Sequence, residues 1–315
     1  MNHATRPSSA VKRPFAALLA AVLASGLLAA CGSSEPRSVV NSIKSGHVVL
    51  GEKYDQPGLG VREPDKEITG FDADVSRYVV NSIARSLGVE EPEISWKEAP
   101  SAQRENLIAN GEVDFIAATY SINDSRAERV SFGGPYLTTY QALLVRKDDT
   151  GLETLEDLNA GRKLCSVTGS TSAQNVQKQL PAVQLQQFDS YSSCVEAVYR
   201  EKVDALTTDA TILAGFADQY PGEFELVEMN NLEDVLDDDG SVKSEAGSPF
   251  STERYGIGVT KGDQESVDAI NAALEEMIES GAWEEAFMRN VGNAMEASGY
   301  PIPEPPTPGD LSFLS

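Results

Sequence analysis

Strand-like and helix-like segments alternate through most of this chain, and one strand-building scheme occurs twice. Leu107-Ile108-Ala109-Asn110-Gly111-Glu112-Val113-Asp114-Phe115-Ile116-Ala117-Ala118-Thr119 reads as a helix end, a glycine-containing turn and an apolar strand. The scheme returns in Val195-Glu196-Ala197-Val198-Tyr199-Arg200-Glu201-Lys202-Val203-Asp204-Ala205-Leu206-Thr207-Thr208. Such alternation predicts a largely parallel sheet with helices on both faces. Each strand ends in small hydroxyl residues and leads into a polar helix start. Open α/β sheets bind ligands at the carboxyl ends of their strands, so two such halves predict a ligand held between them.

The elements around these anchors follow the same logic. His47–Leu50 reads as a strand. Glu67-Ile68-Thr69-Gly70-Phe71-Asp72-Ala73-Asp74 reads as a strand, a glycine turn and a helix start with acids in its first turn, where the helix dipole favours them. Val75, Tyr78, Val79, Ile83 and Leu87 share one helical face, and Gly88 ends it. Further on, Lys163–Val167 and Val183–Phe188 read as strands, and Ser172–Leu180, Ser190–Arg200 and Thr211–Gln219 as helices. From about Val259 a helical stripe of Val267, Ile270, Leu274, Met277, Ile278 and Trp283 is expected. The tail from Tyr300 carries five prolines, lacks periodicity and is expected to be extended.

The first thirty residues stand apart. Arg6, Lys12 and Arg13 precede the apolar Phe15–Ala30, which ends in Leu28-Ala29-Ala30-Cys31-Gly32-Ser33-Ser34. Charge order, length and small terminal residues define a signal peptide. No polybasic stop follows the apolar stretch, which makes a retained membrane span the weaker reading. Cys31 at the boundary resembles a lipobox cysteine, with plain cleavage as the alternative, and Gly32–Pro36 reads as a polar tether. Losing three basic residues and no acidic one would take the formal charge from −24 to −27. A nucleic-acid partner is excluded, because no basic stripe is present to meet phosphates. Cys165 and Cys194 then remain; in an exported domain a disulfide is the default, with buried free thiols as the alternative. Their spacing lacks Cys-x-x-Cys or a nearby His, which disfavours a metal site, and no cofactor is expected.

Three polar segments carry candidate chemistry. In Thr119-Tyr120-Ser121-Ile122-Asn123-Asp124-Ser125-Arg126, Ser121 and Asn123 sit where a helix should begin, an arrangement that suits an anion. Arg126 follows about one turn in, and its planar fork matches a carboxylate. A helix cap plus a surface ion pair fits the segment equally well. Val167-Thr168-Gly169-Ser170-Thr171-Ser172 links a strand to a helix and is either an anion site or a plain cap. No Lys follows the Gly as in a phosphate loop. Thr207-Thr208-Asp209 places a carboxylate where it would accept from an ammonium or cap a helix. Two carboxylate sites and one ammonium site together describe a zwitterionic amino acid.

Gly70-Phe71-Asp72-Ala73-Asp74-Val75 and the Ser121…Arg126 spacing resemble the type II periplasmic solute-binding proteins for polar amino acids, solute-binding protein family 3, from about His47 to Val291. Asp55-Gln56-Pro57-Gly58-Leu59-Gly60, Ser101-Ala102-Gln103-Arg104-Glu105 and Cys165-Ser166-Val167-Thr168-Gly169-Ser170-Thr171-Ser172 are similar to the lipoprotein receptors of glutamate-type importers. The resemblance implies an α/β fold of two Rossmann-like lobes joined by two hinge strands. It implies a signal peptide over 1–30, a lipidated Cys31 with its tether over 31–45, and lobe 1 from 46–137 plus 255–297. Lobe 2 then spans 138–254, a Pro-rich tail spans 298–315, and the crossings lie near Tyr136–Tyr140 and Ser251–Gly256. Carried over by position, Arg126 grips an α-carboxylate with Ser121 and the Thr119 backbone. Thr171, beside Ser170, adds its N–H from the other lobe, and Asp209, beside Thr208, takes the α-ammonium. The implied partners are a glutamate-like amino acid, the membrane permease of an ABC importer and a lipid anchor on the outer membrane face, with the protein a monomer.

One departure bears on the ligand. Many family members place an aromatic ring at about Ser101, and its loss disfavours apolar or flat cationic ligands. Lys53 and Arg62 are candidate readers of an acidic side chain, although a lone loop cation is usually solvated. The negative net charge repels anions at long range, but salt screens that field beyond ~8–10 Å. Enzymes on this fold are the first rival, including dehydratases. His47 is the only histidine after the leader, which leaves a histidine triad or a multi-histidine metal site almost nothing to build on, while carboxylate-only catalysis stays open. A sensory receptor is the second, because it would share the same pocket. The acidic run Glu233–Asp239 lacks the order of a calcium loop and reads as solvated.

Overall fold

The computed structural model describes residues 36–236 and 240–314. The expected leader, Cys31 and Asp237–Asp239 of the acidic run lie outside the described residues. The main sheet has nine strands among the described residues. In one half, His47–Glu52 runs parallel to Glu93–Glu98 on one side and Phe115–Ile116 on the other. The helix Phe71–Leu87 covers it with Val75, Val79 and Ile83, buried at helical spacing. Gly88 ends that helix at φ 68°, a left-handed turn that a Cβ would oppose. In the other half, Lys163–Val167 runs parallel to Ala205–Asp209 and to Gln184–Phe188. Its helices are Thr171–Gln179, Tyr191–Tyr199 and Ala210–Gln219.

One strand serves both halves. Val130–Arg146 pairs antiparallel over its first part with the return strand Thr252–Thr260. Its remainder pairs with Ala205–Asp209 and Phe224–Glu228. The segments expected to cross between lobes are therefore bonded to each other: Leu137–Tyr140 faces Thr252–Tyr255, and the register shifts between Tyr255 and Ile257. This is a mixed α/β fold of two lobes joined by two hinge strands. Cys165 and Cys194 are bridged and fully buried, and they tie the strand Lys163–Val167 to the helix Tyr191–Tyr199.

Two expectations need correction. Residues 39–45 are not tether: Val39–Ser45 is a helix with Val39, Val40 and Ile43 buried. A seven-residue helix is too short to show a period, and its apolar residues are held by tertiary contact. The helical pattern from Val259 begins later, at Gln264, because Val259 and Thr260 complete the return strand. The tail, as expected, has neither helix nor strand among its described residues, and it lies back along the body. Tyr300 and Ile302 pack on the main core, the Gly309 N–H donates to the Gly134 carbonyl at 2.8 Å, and Phe313 lies under Arg254 at 4.5 Å.

Candidate functional site

A small polar cavity lies where the two halves meet, lined by Ser101, Arg104, Thr119, Arg126, Ser170, Thr171, Tyr191, Asp209 and Ile212. The carboxyl ends of the strands deliver most of these residues. Phe115–Ile116 leads to Thr119, Lys163–Val167 to Ser170 and Thr171, and Ala205–Asp209 ends in Asp209 itself. A roomier hollow lies between the tail and Thr138–Tyr140, but only Glu304 among its lining residues is charged. Among the described residues no group of three or more His, Cys, Asp or Glu could hold a metal ion.

Thr119 adopts φ 48°, a left-handed conformation costly for a residue with a branched Cβ. Asp72 holds it there: its carboxylate accepts from the Thr119 N–H at 2.7 Å and from the Tyr136 hydroxyl at 2.9 Å. Phe71, next to it, packs edge-on against Trp283 and Phe287 and anchors the helix start. The acid expected to serve the helix dipole thus turns inward and shapes the site. Burial pushes the Asp72 carboxyl up to about 6, against the two hydrogen bonds that favour its charge.

The alternative of a helix cap and an ion pair is met in part, but the pair is buried rather than at the surface. The helix expected to begin at Ser121 and Asn123 is a single turn, Asp124–Ala127, capped by the Asn123 side chain. The Arg126 guanidinium is buried and donates to the Ser121 carbonyl at 2.7 Å and to the Gly169 carbonyl at 3.1 Å. Glu105 lies 3.6 Å away and the Tyr120 ring 5.0 Å. The bond to Gly169 spans the two halves, as does the 3.4 Å contact between the Ser121 and Thr171 hydroxyls. Gly169 sits at φ 78°, and a Cβ there would come within 2.7 Å of the Ala102 backbone. The cleft is closed.

On the far wall, Ser170 caps its helix by accepting from the Ala173 N–H, and Thr171 presents its hydroxyl to the cleft. Asp209 occupies the N-cap position of Ala210–Gln219 but makes no side-chain cap bond. Its carboxylate instead accepts from the Tyr255 hydroxyl at 2.5 Å and the Ser172 hydroxyl at 3.3 Å. Burial, reinforced by the charge of Glu253, pushes the Asp209 carboxyl up to about 8. Such a group gains from a cation beside it. Thr208 is fully buried behind it, 3.5 Å from the Ser172 hydroxyl.

The two basic candidates part ways. Lys53 is buried behind Ser101 and donates to its hydroxyl at 3.1 Å. Burial, and then the neighbouring Arg104 charge, lowers its ammonium to about 7. Arg62 is exposed, its guanidinium 5.2 Å over the Tyr54 ring, and it does not line the cavity. The residues missed from the sequence are Arg104, Tyr191 and Ile212. Arg104 is buried and its Nε has no hydrogen-bond partner. Its one described hydrogen bond goes to the Thr119 carbonyl at 3.4 Å. Its signal was present in Ser101-Ala102-Gln103-Arg104, where an arginine follows the cleft serine by less than one helical turn.

A two-lobed α/β protein closed over a cavity with arginines on one wall and a carboxylate on the other is built to hold a small polar solute. This chain belongs to the bacterial extracellular solute-binding proteins, family 3, whose model matches residues 48–293. It is 55% identical over 300 residues to the glutamate-binding protein GluB of Corynebacterium efficiens, covering 95% of this chain and 96% of that one. It is 32% identical over 290 residues to the ABC transporter glutamine-binding protein GlnH of Bacillus subtilis, covering 89% and 97%. Among solved structures it is similar to an ancestral arginine-binding protein bound to glutamine, at 28% identity and a TM-score of 0.63, covering 78% and 98%. These relatives are binding proteins, not enzymes, and the family is exported.

Proposed function

We propose that this chain is the extracytoplasmic receptor of an amino-acid ABC importer and that it closes on glutamate. One observation carries the reading: two arginines and a buried aspartate, which makes no ion pair among the described residues, converge on one closed cavity from opposite lobes. Arg126, with Ser121, Thr119, Ser170 and Thr171 around it, takes the α-carboxylate. Asp209, backed by Thr208, takes the α-ammonium. Arg104 and Ser101, backed by Lys53, read the side-chain carboxylate, and Arg62 stands apart on the surface. Binding a cation beside Asp209 and an anion beside Arg104 relieves two charges that burial disfavours. Ligand thereby shifts the lobes from open to closed, since each lobe supplies half of the contacts.

The lobe boundaries proposed are 46–137 plus 255–297 and 138–254, with the helix Val39–Ser45 joined to lobe 1. Cys31 is the lipid anchor, the protein works as a monomer on the outer face of the membrane, and a permease takes the ligand from it. The GluB and GlnH relatives support glutamate and a close amide as the first ligands to test. A calorimetric screen of the twenty amino acids should give the tightest binding for glutamate. Binding of none of them would end the reading.

A further inference from the structure

The carboxylate assigned to the ligand ammonium is not oriented by its own helix. Asp209 stands at the N-cap of Ala210–Gln219 yet leaves the helix N–H groups alone. What holds it is Tyr255, from the return strand, at the position where that strand crosses between lobes and its register shifts. Tyr255 is fully buried, and its hydroxyl lies 3.3 Å from the Thr211 hydroxyl. Since the tyrosine donates to Asp209, Thr211 donates to the tyrosine, so the chain of bonds has one direction. The other hinge strand repeats the device: Tyr136 donates to Asp72, which holds the Thr119 turn. The two tyrosine rings lie 6.1 Å apart.

We propose that Tyr255 is a positioning residue for amino-group recognition: its hydroxyl aims the Asp209 carboxylate at the ligand ammonium and keeps it ready to ionise. The inference rests on the reading that Asp209 takes that ammonium. The charged and titratable groups facing Asp209 are Glu253 and Tyr255 on the return strand, Arg126 across the cleft and Tyr191 on the helix Tyr191–Tyr199. Glu253 resists ionisation of Asp209, whereas Arg126, Ser172 and Tyr255 favour it. Without the Tyr255 hydroxyl the carboxyl holds its proton more tightly, and the ligand must displace that proton to bind. The penalty therefore appears at low pH and fades once the carboxyl is ionised in the empty protein.

The test is calorimetry of L-glutamate on the full mature chain at pH 6 and pH 9, comparing wild type with Tyr255→Phe, which keeps the ring and its packing. The expected loss is roughly ten-fold at pH 6, the scale of one hydrogen bond to a charged group, and under about two-fold at pH 9. Thr211→Val, which strips the donor behind the tyrosine, should show the same pattern more weakly and serves if Tyr255→Phe does not fold. In an Asp209→Asn background the Tyr255→Phe loss should vanish. Equal losses at the two pH values, or no loss at either, would overturn the role of Tyr255. If Asp209→Asn itself binds glutamate like wild type, the ammonium reading fails instead.

Discussion

Replacing Arg104 with Met separates a selectivity role from a structural one. The guanidinium is buried, its Nε is without a partner, and its bond to the Thr119 carbonyl is long at 3.4 Å. Its charge is held out of water against Arg126, while Glu52 and Asp72 feel it as an attraction. These effects oppose each other, so the melting temperature of the empty protein should move by less than about 3 °C. Met also keeps most of the aliphatic volume. Glutamate would lose a buried, charge-assisted contact of about 2–4 kcal/mol, on the order of 30- to 1,000-fold in affinity. Glutamine carries no side-chain charge and would lose about 1 kcal/mol, roughly five-fold. Titration calorimetry with both ligands, beside differential scanning calorimetry of the empty protein, reads all three quantities. Arg62→Met is the control and should leave both affinities within about two-fold, as an exposed cation outside the cavity should. If Arg104→Met weakens glutamate and glutamine equally, or spares glutamate, Arg104 does not read the side chain.

Reducing the bond between Cys165 and Cys194, or substituting both by Ser, should destabilise the protein by roughly 3–4 kcal/mol in the chain-entropy account; denaturant titration of the oxidised and double-Ser proteins checks this. Asp72 has a carboxyl raised to about 6 by burial, so its contribution is complete below its ordinary value near 4 and disappears as pH rises through 6. The melting temperature of the empty protein should therefore fall from pH 5 to pH 7.5, and Asp72→Asn should make that slope shallower, with the raised Asp209 carboxyl supplying the remainder. Removing residues 300–314 strips Tyr300, Ile302 and Phe313 from the body; unfolding at a lower temperature is expected, and an unchanged melting curve would show that the tail adds nothing.

The legible parts of the fold were those set by local periodicity. The stripe Val75, Val79, Ile83 and the stop at Gly88 appear in the structure as read, because a helix face repeats every few residues whatever lies opposite. Small elements escaped for the converse reason: Val39–Ser45 is helical only in company with the helices it packs against. In the candidate site, Arg126, Thr171 and Asp209 were visible because each lies at or after a strand end in a polar segment. Arg104 was passed over because a basic residue in a short helix looks solvated until its burial is known.

The residue types of the site, the strand–helix alternation and the two cysteines were all determined by the order of amino acids, since each needs only neighbours along the chain. The tertiary structure alone decided that Asp209 turns away from its helix toward Tyr255, and that Lys53 is buried while Arg62 is not. It also decided that Arg126 reaches Gly169 across the cleft. In every such case the same side chain has two satisfactory partners in principle. Desolvation chooses between them, and how far water is excluded depends on segments distant in sequence meeting in space.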